Sequence, residues 1–199
     1  MIGYRGQPDL KRRLIEDLRR HQAADAFVQG RGFWFPDEQR GCGVGCSIES
    51  LRRLGMVELR HNDDHAGYAM VIGVAPQMTH LEDRIFERLP ADASRQWPIA
   101  FAEAIPVGGD TSLVWPRVAL RILTDSQYGV MQYAPDAVRP VAALYQRVVA
   151  GEMVTDAEWR AANANANAAA DAAAYAANAA SANAANAAAA AAYAAYAAN

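Results

Sequence analysis

The residues of this chain whose types and spacing could do chemistry are two thiols, a cluster of glycines, a histidine and two carboxylates. Cys42 and Cys46, its two cysteines, lie in Arg40–Ser47, R-G-C-G-V-G-C-S, together with Gly41, Gly43 and Gly45. Glycines packed that densely favour backbone freedom over helix or strand propensity. They suit a tight loop that presents backbone N–H groups, thiols or both. Ser47 then reads as the N-cap of a short helix, Ile48–Leu54, stopped by Gly55. A loop that opens onto a helix N-terminus is a place where thiol pKa values fall and where anions bind.

Three chemistries fit that loop, and a purely structural role is the fourth reading. A nucleophilic Cys42 would take His21 as base, Asp25 as the group that orients it, and Glu82 as a second carboxylate. Cys42, Cys46, His21 and Asp25 also make a candidate zinc set, although the C-x3-C spacing differs from the C-x2-C or C-x4-C of zinc knuckles. Alternatively Gly41 to Gly45 cradle a phosphate or carboxylate by their N–H groups, with the cysteines as small buried fillers; a ligand pocket at the loop, of whatever ligand, would be formed by Gly41, Gly43, Gly45, Cys46, Glu82 and Arg117. A second polar loop, H-N-D-D-H-A-G at 61–67, holds His61, Asp63, Asp64 and His65; it reads as a solvated turn rather than a metal site.

The elements that must position these residues follow from periodicity. Pro8–Gln29 reads as the first helix, with Pro8 in its first turn and Gly30 as its stop. Leu10, Leu14, Leu18 and Val28 form its apolar stripe, and His21 and Asp25, four apart, fall inside it as neighbours. Phe33–Phe35 reads as a short strand or aromatic anchor. Met56–Arg60 and Tyr68–Val74 read as two short strands, or as loop and helix turn. Pro76–Leu89 is a clear helix whose stripe of Met78, Leu81, Ile85, Phe86 and Leu89 is interrupted by Glu82. Ser94 caps the next helix, which turns Trp97, Phe101 and Ile105 inward.

Trp115–Leu123 is apolar enough to be the central buried helix, and its Arg117 and Arg121 would answer Glu82 or Asp83. The dipeptides Trp97-Pro98 and Trp115-Pro116 read as packing rather than ligand stacking. Asp136 caps Ala137–Ala150, and Thr155 to Glu158 is a capping box. From Ala161 to Asn199 about two-thirds of the residues are alanine, which favours one long helix of about 60 Å. Its bare alanine face leaves self-association, docking on the body or a helical hairpin open, and makes 161–199 a candidate for homo-oligomerisation.

Net charge is −3, so nothing draws the chain as a whole to nucleic acid or an anionic membrane. Two cysteines are no disulfide framework, and no apolar run reaches the length of a membrane span. These features imply a soluble cytoplasmic protein. The fold expected is mainly α: a helical body over 1–154 with at most a small β-hairpin, then an Ala/Asn-rich helical tail over 155–199.

Several stretches carry a resemblance: H-Q-A-A-D (21–25), R-G-C-G-V-G-C-S (40–47), L-E-D-R-I-F-E-R-L-P (81–90), A-I-P-V-G-G-D-T-S-L-V-W-P-R (104–117) and the alanine-rich tail after E-W-R (158–160). Over most of the body the chain resembles a family of uncharacterised proteins from bacteria and their phages. That family carries no known activity. Its tail is richer in Asp and Tyr where this chain has Asn, and a polar, His-containing stretch follows its second cysteine where this chain has Ile48–Leu54. The resemblance implies a phage or prophage setting and a non-enzymatic role, such as binding a host protein or sequestering a small host signal. The partner is then a small molecule or a host protein.

Overall fold

The computed structural model describes residues 1–56, 59, 61 and 63–168. The assembly role expected of 161–199 falls outside the described residues from 169 onward, as do Val57, Glu58 and Arg60 of the first expected short strand. The chain divides into two compact units, Met1–Trp115 and Pro116–Asn199. The architecture is mainly helical with one small antiparallel hairpin, as the sequence implies.

The first unit contains α1 (Pro8–Ala23), β1 (Trp34–Phe35), β2 (Arg40–Gly41), α2 (Gly43–Arg53), α3 (His65–Ile72), α4 (Pro76–Phe86) and α5 (Ala91–Ala104). Helix α1 packs on α2 and α5, α2 also meets α4, and α3 lies on α4. Leu14, Leu18, Ile48, Leu51, Tyr68, Ile72 and Phe86 are completely enclosed between them. The hairpin pairs Trp34 with Gly41 and Phe35 with Arg40.

Helix α1 starts as expected, with Pro8 and Asp9 in its first turn, but it ends at Ala23 rather than Gln29. Asp25 adopts a left-handed backbone conformation at φ 51°, and the chain then runs alongside β2. The Gly41 N–H donates to the Ala26 carbonyl at 2.9 Å, and the Val28 N–H donates to the Gly41 carbonyl at 2.8 Å. Backbone bonds to a distant segment thus replace the last helical turns. The stretch A-A-D-A-F-V contains no glycine or proline that would reveal this.

Tyr68–Val74 contributes to a helix, not a strand. The Asp64 carboxylate accepts the Gly67 N–H at 2.8 Å and caps α3, and Gly73 ends it in the left-handed conformation, φ 75°. Helix α5 begins at Ala91, three residues before Ser94, so Ser94 lies inside the helix and does not cap it, and Pro98 stands in the helix interior.

Helix α6 (Val114–Thr124) leads into the second unit, where α7 spans Pro135–Val149 and the described part of α8 spans 156–168. The expectation of a central buried helix at Trp115–Leu123 is not met. Of α6 only Ala119 is buried, Ile122 is exposed, Arg117 is exposed, and Arg121 pairs with Asp125 at 3.4 Å. Helix α7 starts at Pro135, so Asp136 lies in its first turn and does not cap it.

The capping box at Thr155 is present. The Glu158 N–H donates to Thr155 Oγ1 at 3.3 Å, and the Thr155 N–H donates to the Glu158 carboxylate at 2.8 Å. Arg147 of α7 holds the same carboxylate at 2.6 Å, which keeps the Glu158 carboxyl well below its usual range, at about 2. Among the described residues no helix is long and apolar enough to cross a membrane.

Candidate functional site

The glycine–cysteine loop is a packing joint between the hairpin and α2. Helix α2 begins at Gly43, so Cys42, not Ser47, is its N-cap, and the Cys42 sulfur accepts the Gly45 N–H at 3.2 Å. Ser47 is inside the helix, and its hydroxyl donates to the Gly43 carbonyl at 2.9 Å. The Cys46 thiol faces the Gly41 carbonyl at 3.6 Å and the Ala26 carbonyl at 3.8 Å.

Both sulfurs have 0% exposure. Burial pushes both thiols far above the ordinary range, and the negative charge of nearby Asp83 pushes Cys42 the same way. The helix N-terminus does not offset this. Thiols held protonated in the core are poor nucleophiles and poor metal ligands.

The three loop glycines serve close approach rather than unusual backbone angles, since none has a positive φ. A Cβ at Gly41 would stand 2.5 Å from the Phe33 carbonyl oxygen, and one at Gly45 would stand 2.6 Å from the Phe33 carbonyl carbon and the Trp34 nitrogen. At Gly43 it would stand 2.7 Å from Pro98 Cγ and 3.2 Å from Phe86. Backbone and side chains thus fill the space that an anion cradle would need to leave open. The Gly41 and Gly45 N–H groups already have partners, the Ala26 carbonyl and the Cys42 sulfur.

His21 is buried on α1, as its place in the stripe implies, but Asp25 is not its neighbour. Asp25 lies beyond the end of the helix, is 70% exposed, and pairs with Arg95 at 3.1 Å. The carboxylate beside His21 is Asp17, one turn earlier, with Oδ2 3.7 Å from Nε2. The imidazole also stands edge-on to Trp34 with ring centroids 5.0 Å apart. Burial lowers its pKa, and Asp17 opposes that in part. Asp17 and Asp25 both stand four residues from His21, and because α1 ends at Ala23 it is Asp17 that shares the helix face with the imidazole.

Glu82 is 1% exposed, in the core as its position in the α4 stripe implies. No arginine among the described residues answers it. Its polar surroundings are the Tyr68 hydroxyl, Asp83 and Tyr4, and neither carboxyl oxygen completes a hydrogen bond of good geometry. Burial therefore holds the Glu82 carboxyl well above the usual range, as a neutral acid. Its main-chain carbonyl accepts the Trp97 indole N–H at 3.0 Å, and the Tyr4 hydroxyl donates to the Ala102 carbonyl at 2.7 Å. Arg117, the remaining candidate ligand residue, belongs to the second unit.

No family model, curated protein or solved structure matches the chain. The functional reading therefore rests on the chemistry of the side chains.

One cluster escaped the sequence reading. His65, the first residue of α3, sends Nε2 toward Asp83 at 3.8 Å, while Nδ1 lies 2.9 Å from the Asp63 carbonyl. Asp83 raises the His65 pKa first, and the Asp63 carbonyl adds to it. His80 of α4 stacks on His65, with centroids 4.3 Å apart and planes 10° from parallel. The sequence grouped His65 with its loop neighbours, whereas its partners lie one helix later.

Among the described residues no group of three or more His, Cys, Asp or Glu side chains is placed to hold a metal ion. The zinc set of Cys42, Cys46, His21 and Asp25 is not brought together.

The surface carries clefts elsewhere. One of about 470 Å³ is lined by apolar residues, among them Ile2, Met70 and Val74, with Arg5 beside them. Another, of about 370 Å³, is lined by Gln77, His80, Leu81, Arg84 and Trp115. Neither is lined by Cys42, Cys46, His21, Asp25 or Glu82.

Proposed function

We propose that this chain acts by binding a small molecule and not by thiol, metal or acid–base catalysis at the glycine–cysteine loop. The observation that carries the reading is the complete enclosure of both thiols, each engaged with the backbone around it. Glu82 and His21 are likewise enclosed by core side chains. The accessible side chains with recognition chemistry line open clefts instead. A binding role also agrees with what the family resemblance implies, capture of a small host signal.

A panel of small acids, bases and neutral compounds tests this by thermal unfolding. A ligand that binds only the folded state stabilises it by RT ln(1 + [L]/Kd), about 2.7 kcal/mol at a hundredfold excess over Kd. One chemical class should raise the unfolding midpoint, and Cys42→Ala and Cys46→Ala should keep that response. A response that disappears only when a cysteine is replaced would return the chemistry to the loop. The absence of any response across the panel would defeat the binding role.

A further inference from the structure

The open face of α4 carries a second set of functional groups. Gln77, His80, Leu81 and Arg84 fall three, four and seven residues from the first, so they share one side of the helix. With Trp115, the last residue of the first unit, they line the cleft of about 370 Å³. Leu81 and Trp115 are half-buried, whereas Gln77, His80 and Arg84 are exposed.

The polar part of this cleft suits an anion. Arg84 has no carboxylate partner among the described residues, and its charge acts on His80, whose pKa it helps to lower. Many arginines of the chain, such as Arg12, Arg19 and Arg147, are paired. Behind His80 lies His65, whose two ring nitrogens face the Asp63 carbonyl and Asp83. The groups that act on His80 are thus His65 of α3 and Asp83 and Arg84 of α4, and the one acidic group among them is turned to His65. A guanidinium presents a planar fork that matches a carboxylate or phosphate, and the Gln77 amide adds a donor at the same cleft.

The apolar part suits a ring. Trp115 has no aromatic or cationic neighbour on its face among the described residues, and Leu81 completes the wall. The volume is at the small end for ligand clefts, enough for one or two fused rings.

We propose that this cleft binds a small aromatic anion, a planar ring bearing a carboxylate or phosphate, with Arg84 on the anionic group and Trp115 on the ring. The proposal rests on the reading of the chain as a binding protein, and it revises the expectation that Trp115-Pro116 serves packing alone.

Titration of the full chain with 1-naphthoate tests it, followed by NMR at the Trp115 indole N–H and the His80 ring. Inorganic phosphate and the neutral 1-naphthalenemethanol serve as half-ligands. Naphthoate should shift both signals saturably and raise the His80 titration midpoint. Each half-ligand should bind at least about tenfold more weakly. Arg84→Gln should weaken naphthoate about tenfold or more, the loss of one charge-assisted contact. Arg88→Gln, one turn on and outside the cleft, should leave affinity unchanged. Equal affinity for naphthoate and naphthalenemethanol, wild-type affinity in Arg84→Gln, or a titration that leaves Trp115 and His80 unmoved would each overturn the proposal. If a panel compound stabilises the fold while Trp115 stays unmoved, the binding role stands and this site falls. If nothing in the panel binds, the role itself falls.

Discussion

Replacing Glu82 by glutamine should change how stability depends on pH. The carboxyl is enclosed on α4, and burial holds its pKa well above the ordinary 4.5. The folded protein keeps a proton that the unfolded chain gives up above that value. The stability this proton supplies is fully present below the unfolded value and is lost as pH rises toward the folded one, by about 1.4 kcal/mol per pH unit. Glutamine preserves the shape and has no such proton to lose.

Urea denaturation at pH 5, 6 and 7, with wild type compared to Glu82→Gln at each, isolates the effect because contributions from His21, His65 and the surface carboxylates cancel. Wild type should lose up to about 2.7 kcal/mol relative to the variant across those two units. A difference that stays constant with pH would mean that the folded protein carries an ionised Glu82, and would refute the assignment of a neutral acid to the core.

Other substitutions probe the joint and the first helix. Gly45→Ala puts a methyl 2.6 Å from backbone atoms of Phe33 and Trp34, which cannot swing aside, so urea denaturation should show a loss of about 1–3 kcal/mol or more. Asp17→Asn should lower the His21 titration midpoint further when followed by NMR, whereas Asp25→Asn, at the exposed end of a pair with Arg95, should leave it in place. The pKa of folded His21 is already depressed, so its contribution to stability is present above the ordinary value of 6.5 and lost as pH falls through the folded one; Asp17→Asn should move that loss to lower pH.

The parts of the fold that local chemistry decides were legible. Pro76 and the stripe behind it define α4 and place Glu82 in the core, and Thr155 and Glu158 cap their helix reciprocally. The parts decided by distant segments were not. Nothing within residues 24–29 announces that Ala26 and Val28 will bond to Gly41, and this contact ends α1 and turns Asp25 away from His21.

The glycines of the loop carry the same lesson. Gly43 and Gly45 make room for Pro98, Phe86, Phe33 and Trp34, none of which a local reading of R-G-C-G-V-G-C-S includes. Burial of α6 was overestimated because apolar density says how much surface a helix would hide, not whether a neighbour covers it. The pairing of His65 with Asp83 and His80 required α3 to be a helix lying on α4, and Tyr68–Val74 was equally readable as a strand.

Alkylation of the native protein with iodoacetamide, resolved for Cys42 and Cys46 separately by peptide mass spectrometry, tests most directly whether the loop is a structural joint. Both thiols should remain unmodified in buffer for a time that suffices to modify both in urea. Modification of either one in the folded protein, at the rate of an unfolded-chain thiol, would contradict their enclosure and restore the loop as a site of chemistry.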